Sequence, residues 1–163
     1  GARAVVEIPE AARARAAAFL ITNAESAALH LDRLRMRAAD FDPDTRDRFL
    51  AGAMLPAAWA IKAQRFRRWY HAAVLALFEG VDVILAPATP CAAPLIGQKT
   101  MVLDGNEVPV RPNLGLFTQP ISLIGLPVAV APVFGLGPLP YGVQVIAAPG
   151  REDLCLRVAA ELE

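Results

Sequence analysis

The chain has 163 residues, with sixteen basic and sixteen acidic side chains and a formal net charge of zero at pH 7. That length suits one domain or part of one, and the balanced charge gives no basic footprint for nucleic acid. Cys91, Cys155, His30 and His71 are the only cysteines and histidines, too few for a disulfide framework or a His/Cys metal cluster, so no metal and no cofactor is expected. The chain opens at Gly1-Ala2-Arg3 with no Met and no signal-peptide order. A processed chain, or one cut from something longer, and a cytoplasmic location are therefore expected. Richness in alanine and arginine points to a GC-rich bacterial gene.

Residues 4–8 form a short β-prone run stopped by Pro9. An alanine-rich helix is expected over 10–37, with Phe19, Leu20, Ala24, Ala27, Ala28 and Leu31 at helical spacing. Asp42-Pro43-Asp44 reads as the next helix start: Asp42 caps, Pro43 sits in the first turn, and Asp44 meets the positive end of the dipole. Helix then continues to Glu79 with a break near Gly52 and Pro56, and Gly80 ends it. In its second half Phe66, Trp69, Tyr70, Ala73, Leu77 and Phe78 form an apolar face, read as core packing.

Residues 81–86 read as a buried strand, stopped by Pro87, Pro90 and Pro94. A hairpin follows: strand 100–103, a turn at Asp104-Gly105-Asn106, and a second arm 108–110 that Pro109 makes an edge. From 112 to 150 there is no Asp, Glu, Lys or Arg. A membrane span would need roughly 20 continuous apolar helical residues. This stretch is interrupted by Pro120, Pro127, Pro132, Pro138, Pro140 and Pro149, which break helices. It reads instead as an interrupted helix over 113–124 and buried strands over 128–133 and 141–147. A helix over 152–162, with Leu154, Val158 and Leu162 in line, closes an α/β layer. The strands at 81–86, 128–133 and 141–147 are expected to be neighbours in one sheet, with the hairpin projecting away.

A catalytic centre is not assembled by these residues. Ser26 and Ser122 are the only serines, and neither sits in a nucleophile elbow or a Gly/Ser-rich loop. Strands hydrophobic on both faces but lacking cover suggest a fragment.

Several segments carry a resemblance. Asn23-Ala24-Glu25-Ser26, Arg48-Phe49-Leu50-Ala51-Gly52, Ala63-Gln64-Arg65 and 82–90 (DVILAPATP) occur in an order similar to the C-terminal part of amidase signature enzymes. So do Gly125-Leu126-Pro127, 139–146 (LPYGVQVI) and the closing helix. The likeness covers nearly the whole chain, 1–163, as the C-terminal part of one amidase domain. Gln64 to Trp69 and Pro112 to Pro120 resemble the bacterial 1-carboxybiuret hydrolase branch of that family. The resemblance implies an α/β/α fold with a mixed central sheet covered by helices. It also implies hydrolysis of a C–N amide bond by a Ser–cis-Ser–Lys triad whose residues lie in a stretch this chain does not contain. No catalytic residue is carried over; Lys62 and Lys99 stand in the wrong contexts. Expected partners are a small-molecule amide substrate, the N-terminal part of the same protein, and either a second copy or a small accessory subunit, with no nucleic acid and no membrane span.

Candidate substrate-binding residues follow from strand exits and from the family. Thr89 leaves a strand where α/β sites form. Asn113, Gly115, Thr118 and Gln119 are polar or small residues in an apolar segment. In the transamidosome amidase subunit, similar here, an aspartate near the position of Gly115 helps bind the substrate's amino group; its absence leaves room for an uncharged or anionic substrate. Arg35, with Arg37, ends the first helix, where the family often places an arginine near the pocket; a guanidinium can hold a carboxylate bidentately. The plainer readings are helix-end charge for Arg35, capping for 113–119 and a strand-to-loop exit for Thr89. Arg111 is either a pocket cation or solvated, His71 a helix flank, and Cys91 a small buried loop residue. Two other functions compete: a non-catalytic protein-interaction module of amidase-like fold, and a membrane-associated protein using the uncharged stretch.

Overall fold

The computed structural model describes residues 4–163. The first helix, α1 (Ala11–Arg37), is followed by a 3-10 turn at Ala38–Asp40 and by α2 (Pro43–Ala53). Asp42 caps α2 as its sequence dictates: its carboxylate accepts from the Thr45 N–H at 3.1 Å, with Pro43 in the first turn. The expected break separates α2 from α3 (Ala57–Leu75), which tightens to a 3-10 turn at Ala76–Glu79 before Gly80. Gly52 sets the crossing of α1 and α2. A Cβ there would lie 2.0 Å from the Asn23 carbonyl oxygen, so only glycine lets the backbones approach this closely.

Residues 4–8 form no strand, contrary to expectation. A strand needs a paired neighbour; none adjoins this run, and Val6 and Ile8 pack instead onto the core. The aromatic face of α3 also differs. Tyr70 is fully buried and stacks on Phe66 at 5.9 Å, but Trp69 is 50% exposed.

Strands β1 (Val83–Pro87), β4 (Val128–Val133) and β5 (Tyr141–Ala147) form one antiparallel sheet in the order β1-β5-β4. Leu85 faces Val145, which faces Ala129. The hairpin β2 (Thr100–Leu103) and β3 (Asn106–Pro109) stands apart as a second sheet. Its turn is two residues, one shorter than expected. Asp104 and Gly105 have φ of 48° and 77°, the primed geometry that matches strand twist. Among the described residues no parallel strand pair occurs, so the mixed sheet implied by the resemblance is here purely antiparallel.

The uncharged stretch forms short helices and strands. Of the interrupted helix expected over 113–124, the short α5 (Gln119–Ser122) forms with Pro120 in its first turn, and another short helix, α4 (Val110–Asn113), ends where that range begins. The last helix, α6 (Glu152–Leu162), matches its expected bounds. Side chains alternate across a strand. Ile84 and Ile146 therefore face α1 and α3, joining Ala14, Ala17, Ile21, Tyr70 and Val74 in the core. The opposite face presents Val145 and Ala147, and α6 packs over β4 and β5 there. The layers are α/β/α. No helix among the described residues is long and apolar enough to cross a membrane.

Candidate functional site

The segment joining the hairpin to β4 carries four of the six candidate residues, and α1 holds it in place. Asn113 Oδ1 and Gln119 Oε1 both accept from Arg15, at 2.8 and 3.0 Å, and the same guanidinium donates to the Pro112 carbonyl. Asn113 also donates to the Pro109 carbonyl at 2.9 Å. Gly115 lies beneath Gln119: a Cβ on it would fall 2.8 Å from Gln119 Cγ. Thr118 precedes α5, and its carbonyl accepts from Ile121 and Ser122.

Thr89 is reached differently. Its hydroxyl donates to the Cys91 carbonyl at 2.8 Å, closing the loop after β1. Gln144, 1% exposed at the centre of the sheet, donates to the Pro87 and Phe117 carbonyls at 2.9 and 3.1 Å. One buried amide thus binds the exit of β1 to the residue before Thr118.

Arg35 is not part of this cluster. Its side chain is 70% exposed and pairs with Asp32 at 3.8 Å. It lies ten residues beyond Glu25, about 15 Å along the helix at 1.5 Å per residue. Arg37 pairs with Asp40 in the same exposed turn. Arg111 clamps the start of α2, donating to Asp44 at 2.9 Å, to Asp42 at 3.3 Å and to the Thr45 hydroxyl at 3.1 Å. Desolvation pushes the Asp42 carboxyl up, but the Thr45 N–H, Arg111 and the Thr45 hydroxyl together outweigh it and hold the group below its ordinary value.

A groove of about 260 Å³ opens between α1, α2, α3 and α5. Helix α1 lines it with Phe19, Thr22 and Glu25; α2 adds Arg48, α3 adds Arg67, and the α5 side adds Gln119, Ser122 and Leu123. Arg48 stacks over the Phe19 ring at 5.4 Å, and Arg15 lies 5.6 Å from the same ring. Among the described residues neither Arg48 nor Arg67 makes an ion pair. The only carboxylate in the lining is Glu25, whose Oε1 accepts from Gln64 at 3.4 Å. Two guanidinium groups against one carboxylate make the groove a place for an anion or a strong acceptor. Ser122 lines it with no lysine or histidine beside it, so the groove holds no Ser–Lys or Ser–His pair. Among the described residues no cluster of three His, Cys, Asp or Glu side chains could hold a metal ion.

Arg15, Arg48 and Arg67 are absent from the sequence-based candidates because three helices bring them together. The available signal was on α1. Arg15, Phe19, Thr22 and Glu25 fall on one helical stripe, beside the apolar face that periodicity picks out.

Comparison with known proteins agrees with this architecture. The Amidase family model matches residues 4–156. The chain is 49% identical over 165 residues to the AtzE polypeptide of 1-carboxybiuret hydrolase from Pseudomonas sp. (strain ADP), covering all of this chain and 36% of that protein. It is 32% identical over 160 residues to the fatty acid amide hydrolase of Medicago truncatula, covering 97% of this chain and 26% of that one. Among solved structures, a vestigial protein complex described as revealing the evolutionary origins of an s-triazine catabolic enzyme superposes with a TM-score of 0.93. That match has 50% identity and covers 98% of this chain and 35% of the other. An amidase crystal structure gives a TM-score of 0.87 at 25% identity over 94% of this chain and 36% of that one. The chain thus spans about a third of the length of these relatives or less, and with its α/β/α layers and nearly complete match to the family model, it belongs to the amidase family.

Proposed function

We propose that this chain is the C-terminal part of an amidase that hydrolyses a C–N bond of a small, carboxylate-bearing, urea-like substrate such as 1-carboxybiuret. The observation that carries this reading is the groove, lined by Arg48, Arg67 and Gln119 with Glu25 as the only carboxylate. The 49% identity to a 1-carboxybiuret hydrolase polypeptide supports the same substrate class. In this reading Asn113, Gly115 and Thr118 extend the wall that Gln119 lines, and Thr89 borders the site from the loop after β1. Arg48 and Arg67 take the carboxylate-holding role that a helix-end position suggested for Arg35.

The proposed reaction uses a nucleophilic serine, a bridging serine and a lysine, all outside this chain. The neutral lysine accepts the nucleophile's proton through the bridging serine, and the alkoxide attacks the carbonyl carbon. Backbone N–H groups stabilise the oxyanion. The C–N bond breaks, the nitrogen leaves protonated, and water releases the acyl group. The chain's own share is binding: two guanidinium groups orient the carboxylate so that the scissile carbonyl is presented to the serine. A cytoplasmic location and association with a small accessory subunit belong to the same proposal; one related structure is described as a vestigial protein complex.

Ammonia release by the complete protein from 1-carboxybiuret, compared with neutral aliphatic amides, tests the reading. Preferential turnover of the carboxylated compound is expected, and preference for neutral amides would refute it.

A further inference from the structure

Of the arginines on α1, Arg15 alone is half-buried rather than exposed. Its Nε donates to Gln119 Oε1 at 3.0 Å, and one terminal nitrogen donates to Asn113 Oδ1 at 2.8 Å and to the Pro112 carbonyl. Its guanidinium also lies 5.6 Å from the centre of the Phe19 ring. Gln119 and Phe19 both line the groove, so Arg15 touches two parts of the groove wall from behind.

The contact occupies the carbonyl end of the Gln119 amide. Arg15 engages the carbonyl oxygen, so the NH2 group is what the side chain has left to offer. Room for that orientation comes from Gly115: a Cβ there would lie 2.8 Å from Gln119 Cγ, 3.0 Å from Cδ and 3.3 Å from Nε2. A side chain at 115 therefore displaces Gln119 from the arginine.

We propose that Arg15 is a positioning residue that turns Gln119 into a hydrogen-bond donor to the groove, in an arrangement only Gly115 permits. Arg15 and Gly115 thereby favour a substrate carrying an anionic or acceptor group. This rests on the amidase reading above and adds a specificity device to it. Gln119's NH2 joins Arg48 and Arg67 against the single Glu25 carboxylate of the lining, and such a surplus of donors favours an anionic or acceptor group.

The test uses the complete protein with 1-carboxybiuret and its neutral counterpart biuret as paired substrates. Arg15→Gln and Gly115→Ala should each raise KM for 1-carboxybiuret by about tenfold, the loss of one charge-assisted contact. For Arg15→Gln, kcat should stay within about twofold and KM for biuret should not change. Arg15→Lys should restore part of the affinity. Gln119→Glu keeps an oxygen toward Arg15 but replaces the NH2 group, so it should raise KM for 1-carboxybiuret most. If Arg15→Gln lowers kcat on both substrates equally with KM unchanged, the residue is merely structural and the proposal fails. Hydrogen exchange of residues 110–124 gives a readout independent of turnover: Arg15→Gln should accelerate it, and unchanged exchange would overturn the proposal. Wild-type protein that cleaves neither compound would sink the amidase reading alone, while exchange would still test whether Arg15 anchors residues 110–124.

Discussion

On the side of α1 and α3 the sheet meets a packed layer in which Tyr70, Val74 and Ile146 are fully buried. On the side of β4, Val128 and Val130 are 40% and 56% exposed, and the following loop leaves Phe134, Leu136 and Leu139 at 69%, 69% and 46%. The central strand shows why the two sides differ. Residues 144–147 of β5 are buried between neighbours and helices, whereas β4 is an edge with one strand partner. Within the sheet, exposed large apolar side chains sit on the edge strands, Leu85 on β1 and Val128 and Val130 on β4, while the helices expose others such as Leu29, Trp59 and Ile61. An unpaired apolar edge favours association, while the groove side is already organised. The groove wall is built from α1, α2, α3 and α5 of this chain, whereas β4 offers an unpaired edge.

If the groove side is the organised one, the largest loss should come from the α1–α2 crossing. Gly52→Ala places a Cβ 2.0 Å from the Asn23 oxygen and 3.2 Å from the Ala27 Cβ. The helices must part, at a cost of about 3 kcal/mol in denaturant unfolding, and Arg48 moves with α2. Next is Gln144→Leu, which leaves the Pro87 and Phe117 carbonyls without their shared donor. A loss of about 2 kcal/mol is expected, with loosening of the Thr89 and Thr118 loops measurable by amide exchange.

Tyr70 offers a smaller effect of opposite sign. Its hydroxyl is buried without a partner among the described residues, so Tyr70→Phe should stabilise by about 1 kcal/mol. Burial raises the phenol's pKa from 10 to about 12. The neutral form is favoured in the folded state, so its contribution is complete below pH 10 and is lost as pH rises toward 12. Wild-type stability should fall across that window more steeply than that of Tyr70→Phe. The smallest effect is expected on the bare side. Val130→Ser should change the unfolding free energy of this chain alone by less than about 0.5 kcal/mol, while reducing any self-association seen by native mass spectrometry.

Much of this architecture was legible in the sequence. Asp42-Pro43 announced the start of α2, Asp104-Gly105 the hairpin, and the charge-free Val/Ala/Ile runs gave β4 and β5 to the residue. Residues 4–8 misled because β propensity says nothing about a partner strand. The segment 113–119 stood out as a unit on its polar and small residues. Its anchor, Arg15, lies 98 positions from Asn113, a separation no local pattern spans. Arg35 drew attention by its place at a helix end, but the groove uses the middle of α1, where Phe19, Thr22 and Glu25 meet arginines from two other helices.

The proposed carboxylate grip of Arg48 and Arg67 is tested most directly by the substrate dependence of Arg48→Gln in the complete protein. KM for 1-carboxybiuret should rise by at least about tenfold while KM for biuret stays at the wild-type value. Equal changes for the two substrates, or none for either, would contradict a carboxylate-holding groove.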